Sequence, residues 1–145
     1  MKYGGVPAQV GDLQPTDVVV VGQIQAAAGE SVDFGNGISF TGVPNRHFGF
    51  AAFYSDGVAQ WVTLGGGSSL AFGDRGTAVA YGDDVYVSFQ TQAAAGSFSL
   101  SSAGCSPVAL NGQTSLVVAR LSASTGACIW MHGTTATTTP DRILG

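Results

Sequence analysis

Charge is what this sequence has least of: Lys and Arg number five and Asp and Glu nine in 145 residues, a formal net charge of −4 at neutral pH. The five cations, Lys2, Arg46, Arg75, Arg120 and Arg142, form no basic run. A phosphate backbone would therefore meet net repulsion, which excludes nucleic acid as a partner class. Lys2 and Glu30 are the sole residues of their types, so the usual material of exposed helices is missing. Long apolar runs are missing too. Val18 to Val21 is bounded by Asp17 and Gly22, far short of the roughly 20 residues that cross a bilayer as a helix. The start, Met1-Lys2-Tyr3-Gly4-Gly5, is not followed by the apolar core of an export signal. No Gly-x-Ser-x-Gly elbow, calcium-loop pattern or nucleotide fingerprint occurs.

What is present points to strands and turns. Hydrophobic residues make up 45% of the chain, enough for a sizeable core, and glycine contributes 22 residues. The organising feature is an internal repeat. Gln25-Ala26-Ala27-Ala28-Gly29 recurs as Gln92-Ala93-Ala94-Ala95-Gly96, Asp17-Val18 as Asp84-Val85 and Asp74-Arg75 as Asp141-Arg142, each 67 residues on. Gly57 and Trp61 recur as Gly126 and Trp130 at an offset of 69, which places a small indel in the intervening loops. The expected units are residues 1–75 and residues 76–145, the second carrying the start of a third.

Each unit reads as four short strands. In the second, Thr77 to Tyr81, a Gly82-Asp83 turn and Asp84 to Thr91 form a hairpin, since Val85, Val87 and Phe89 alternate with Tyr86, Ser88 and Gln90. Leu116 to Leu121 and Cys128 to His132 follow, joined by Ser124-Thr125-Gly126, where glycine supplies positive φ. The first unit offers Asp17 to Gln25, Phe48 to Tyr54, the Asp56-Gly57 turn and Val58 to Leu64, with a poorly defined opening strand around Pro7 to Val10. Helix is excluded by length, because the only Ala-rich candidates, Ala26 to Ala28 and Ala93 to Ala95, have three residues each. The expected fold is all-β, with antiparallel four-stranded propeller-like blades. About two blades are present, an incomplete propeller, and a β-sandwich or β-solenoid is the alternative.

The segment Ala119-Arg120-Leu121-Ser122-Ala123-Ser124-Thr125-Gly126-Ala127-Cys128-Ile129-Trp130 resembles the tryptophan-docking repeat of quinoprotein-type propellers. It departs from that pattern at Ser122, where the family usually carries an acidic residue. The first copy, Phe53-Tyr54-Ser55-Asp56-Gly57-Val58-Ala59-Gln60-Trp61, is shorter at the turn. The longer pattern, Asp84-Val85-Tyr86-Val87 through Gly104 and Leu116-Val117-Val118-Ala119-Arg120-Leu121 to Gly126 and Trp130, is similar to bacterial surface β-propeller repeats of the SBBP type. With Val32-Asp33-Phe34-Gly35 it spans nearly the whole chain. That resemblance implies a bladed β-protein on the bacterial exterior, in a group whose activity is mostly unassigned. Independently of any family, Trp61 and Trp130 suit an inter-blade core, since a Trp can cover about 200 Å² above a turn glycine.

The remaining motifs reduce to structure. Asp33-Phe34-Gly35 spells a kinase metal triplet but lacks that fold's other signatures, so it is expected to be a turn. Gly65-Gly66-Gly67-Ser68-Ser69 lacks the lysine of a phosphate loop and reads as a flexible connector. Ser55-Asp56-Gly57 before Trp61 only approaches an Asp-box. His47 and His132 have no partners at metal-ligand spacing, and Asp83-Asp84 lies along one turn rather than across a cleft. No catalytic, cofactor or metal residues are assigned.

The expected function is a non-catalytic extracellular or cell-surface propeller-repeat segment that serves as a binding, adhesion or scaffold module for a protein or glycan. The alternatives are two blades of a quinoprotein-like or glycan-active propeller enzyme, and a stalk or lid in a large assembly. Binding groups are expected at the end of the long connections, Ala26 to His47 and Ala93 to Gln113, among Asp33, Asn36, Asn45, Arg46, His47, Asn111 and Gln113. Cys105 and Cys128, in a chain this poor in charge, suit an oxidising compartment. They are expected to form a disulfide closing a loop of about 24 residues, worth roughly 3 kcal/mol. Two blades would leave an apolar face open at each end. Neighbouring blades are therefore expected, from a longer polypeptide or from a ring of identical chains.

Overall fold

The alternating apolar pattern read above becomes strand throughout the described chain. The computed structural model describes residues 16–42, 47–67, 71–92, 96–110 and 114–134, and over these it holds eleven strands and no helix. In the first half, β1 (Val18–Gln25), β4 (His47–Ser55) and β5 (Val58–Gly66) pair in succession as an antiparallel meander. In the second half, β6 (Ala71–Tyr81), β7 (Asp84–Gln92), β10 (Thr114–Ser122) and β11 (Cys128–Gly133) form a four-stranded antiparallel sheet. The fold is therefore all-β and antiparallel, and no closed propeller is present among the described residues. The opening strand expected around Pro7 to Val10 and the Asp141-Arg142 tail lie outside those residues.

The two long connections differ from the open loops expected of them. Each carries a hairpin over its described part: β2 (Ser31–Gly35) with β3 (Ile38–Thr41), and β8 (Gly96–Leu100) with β9 (Val108–Leu110). Asp33-Phe34-Gly35 closes β2 rather than forming the turn, which falls one step later on Asn36-Gly37. There φ is 53° and 75°, the two consecutive positive values that a type I′ hairpin requires and that Asn-Gly adopts most easily. Gly65 and Gly66 likewise are not connector but the end of β5, and they pair with Leu100 and Ser99 of β8. Glycine is needed there because a Cβ on Gly65 would run into the Phe98 ring. Through this pairing β8 and β9 extend the first sheet, giving the order β1-β4-β5-β8-β9.

The same pairing scheme occurs twice. Val18 faces Tyr54 in the first sheet and Val85 faces Leu121 in the second, both partners displaced by 67 residues. A bulge interrupts β4–β5 between Phe53 and Tyr54, and another interrupts β10–β11 between Arg120 and Leu121, again 67 residues on. Phe53 pairs with Trp61 as Arg120 pairs with Trp130.

The sheets pack with opposite faces in contact. Val19, Phe53 and Trp61 supply the first sheet's side of the core, and Val21 meets Gly76 of β6 across the gap. The second sheet contributes Val85, Val87, Phe89, Val117, Ala119 and Leu121. Displaced by 67, Val19 corresponds to Tyr86 and not to Val85 or Val87. One sheet therefore presents its front to the other's back; among the described residues, no sheet stacks on the outer face of either, and the β2–β3 hairpin lies against part of the first sheet's outer face. Cys105 and Cys128 are joined with Cα atoms 5.5 Å apart, which ties the segment before β9 to the first residue of β11.

Candidate interaction face

The face of the second sheet that points away from the core carries one continuous row across all four strands. Val79 of β6, Tyr86 of β7, Arg120 of β10 and Trp130 of β11 are cross-strand partners. Period-two alternation puts them on the side opposite Val85, Val87, Ala119 and Leu121. Val79 is 40% exposed, and Tyr86 and Trp130 are partly buried. Their rings lie 6.3 Å apart between centroids, and His132 flanks Trp130 at 5.6 Å. Ile129, the unpaired residue of the β11 bulge, is also exposed.

One ion pair sets the electrostatics of the row. Arg120 Nη2 donates to Asp84 Oδ2 at 2.6 Å, and this hydrogen bond raises the guanidinium further above its ordinary range, so the cation is permanent. Arg120 Nε is covered and has no hydrogen-bond partner among the described residues. Aromatic area around an oriented guanidinium is a mixture enriched at the centres of protein interfaces.

The matching row of the first sheet shows what such a face does when it is covered. Trp61 is buried and stacks on Phe53 at 5.9 Å. Its indole Nε1 donates to Ala123 O at 2.7 Å in the β10–β11 turn. Gly126, at φ 71°, brings its backbone under the ring so closely that a Cβ there would strike the indole carbons. Gly57 stands at the equivalent turn of the first sheet with φ 76°, and nothing lies within 4 Å of where its Cβ would point.

The residues expected from sequence fall in several places. Trp61 is in the core between the sheets, whereas Trp130 is only partly buried on the open face. Asp33 is exposed on β2, and its Oδ1 accepts from the Gly35 N–H. Asn36 spends its amide on Ala59 O at 2.8 Å, pinning the hairpin tip to β5. His47 opens β4 opposite Gln25. Asn45, Arg46, Asn111 and Gln113 lie outside the described residues. Asp33 and Asn36 therefore share one hairpin, and both side chains brace that hairpin. Sequence reasoning missed Tyr86 and Arg120 as face residues, and it read Asp84 as turn chemistry alone. The signal was available in the repeat itself, where Val19 and Phe53 are replaced by Tyr86 and Arg120.

Among the described residues no group of three or more His, Cys, Asp or Glu side chains is placed to hold a metal ion. No protein-family model, curated protein or solved structure matches the chain.

Proposed function

We propose that this chain is a non-catalytic, extracellular repeat module of the β-propeller type, two blade-like units at residues 1–75 and 76–145, acting as a binding or adhesion scaffold. The observation that carries this reading is the front-to-back stacking of two sheets with one pairing scheme. Such stacking is open-ended and supplies a ready face for a further partner. The Tyr86–Arg120–Trp130 row is that face. The disulfide supports an oxidising, extracellular location, and the likeness to SBBP-type surface repeats points the same way.

The test is retention of cells. Cells displaying the full chain should be held on surfaces coated with glycans or extracellular proteins several-fold above cells without it, and the coating should be recovered chemically unchanged by mass spectrometry. Arg120→Ala should remove the retention while leaving the melting temperature of the purified protein within a degree or two. Retention that is absent, or indifferent to Arg120→Ala, overturns the proposal; a chemically altered coating replaces it with the enzyme reading.

A further inference from the structure

The covered face of the first sheet and the open face of the second are built on one register, so the contact already made inside the molecule specifies what would cover the second. We infer that the Trp130 face of one copy docks head to tail on the first sheet of a second copy. The inference rests on the repeat reading above. Within one molecule, the first sheet contributes Trp61 and the second sheet receives it with the Ala123 carbonyl and the Gly126 backbone. Trp130 is the Trp61 of the second sheet by pairing, since each lies opposite the residue at its bulge, Arg120 or Phe53. The glycine of the receiving half is also present once more: in the shorter Asp56-Gly57 turn Gly57 has positive φ, and nothing lies within 4 Å of where its Cβ would point. By that equivalence the Cβ direction of Gly57, like that of Gly126, points to where an incoming indole would lie.

The hairpins strengthen the match. Phe98 of β8 lies against Phe89 of β7, on the face of the second sheet that meets the first, and from there β8 pairs with the β5 edge of the first sheet. The β2–β3 hairpin takes the corresponding position on its own sheet. Phe34 lies against Phe50 of β4 at 5.3 Å, and Tyr54 Oη donates to Phe34 O at 3.1 Å. Phe50 and Tyr54 share the side of β4 opposite Ala51 and Phe53, which face the core. A second copy therefore arrives with both receiving devices in place, a glycine turn for the indole and a hairpin on the receiving face. The contact uses different surfaces on the two copies. Growth is then by addition of further copies, closing into a ring or continuing as a filament according to the rotation per step.

Three proteins test this by light scattering and sedimentation of the full chain from low to high micromolar concentration: the wild type, Trp130→Ala and Gly57→Arg. Each substitution touches one half of the contact, and circular dichroism confirms that both variants keep the wild-type sheet signal. The wild type should associate with rising concentration, and each variant alone should weaken that association at least about tenfold, as removal of a central interface aromatic does. An equimolar mixture of the two variants should form a one-to-one dimer and stop there, because each brings the half that the other lacks. A wild type that stays monomeric at every concentration overturns the inference, and so does a Gly57→Arg protein that still associates alone, which would mean a symmetric Trp130-to-Trp130 contact. Retention of displaying cells by a monomeric protein leaves the scaffold reading standing and defeats only the second-copy partner.

Discussion

The first and second sheets carry one pairing scheme and opposite fates. In the first, the row Val19, Phe53, Trp61 is apolar and lies in the core. In the second, the equivalent row is Tyr86, Arg120, Trp130 and faces outward, with the charge of Arg120 held by Asp84. The same backbone pairing thus buries opposite faces in the two sheets, and the side chains at these three positions differ accordingly. The aliphatic and aromatic members became amphipathic while the Trp was kept, so the outward row can meet water and still present a large apolar ring.

The sharpest way to break the comparison is to truncate both tryptophans. Trp61→Ala removes a buried ring, its stack on Phe53 and its bond to the Ala123 carbonyl, and should cost about 3–5 kcal/mol. Trp130→Ala, on the partly open face, should cost only ~1–2 kcal/mol because much less area leaves a dry environment. Urea unfolding of both variants measures this directly; equal losses would show that the outer face is as well covered as the inner one.

Next in size is the covalent link that only the second unit possesses. Replacing Cys105 and Cys128 together by Ser should lower stability by roughly 3 kcal/mol, the chain-entropy value for a loop of this length. Reduction of the wild type by a thiol should move its urea midpoint to that of the double variant and no further.

The two turn glycines give a smaller and more discriminating contrast. Gly57→Ala should cost about 1 kcal/mol, the penalty of forcing a side chain to positive φ in open space. Gly126→Ala carries that same penalty and also drives a methyl into the Trp61 ring, so about 2–3 kcal/mol in total is expected. Placing both glycines within a few tenths of a kcal/mol of each other would contradict the docking geometry of Trp61. The smallest effect belongs to Arg120→Ala. It removes a surface ion pair that salt screens, and thermal scans at low and high ionic strength should differ slightly for the wild type and not for the variant.

Much of this was legible along the chain. Val85, Val87 and Phe89 alternate with polar partners, and that alone located β7 and its inward face; the Asp56-Gly57 and Gly82-Asp83 pairs located turns. The hairpins were not legible as such. β2 and β3 are five and four residues long, too short for periodicity to stand out, and the Asn36-Gly37 turn directly follows the Asp33-Phe34-Gly35 triplet, which itself has turn composition. Gly65-Gly66 misled for a related reason. Composition reads a glycine run as a linker, while the backbone uses it to let Phe98 approach a strand.

The sequence by itself determined the all-β class, the repeat and its offset, six strands close to their observed bounds and the C-terminal part of β6, and the identity of the disulfide partners. These depend on local alternation, turn chemistry and the small number of cysteines, all of which are written along the chain. Only the tertiary structure decided that β8 joins the edge of the preceding sheet, that Trp61 is docked while Trp130 is not, and that Asp33 and Asn36 brace a hairpin. Two positions with the same place in the pairing scheme, Trp61 and Trp130, differ because one has a second sheet standing in front of it, and the presence of a neighbour in space is a property that no local pattern of residues encodes.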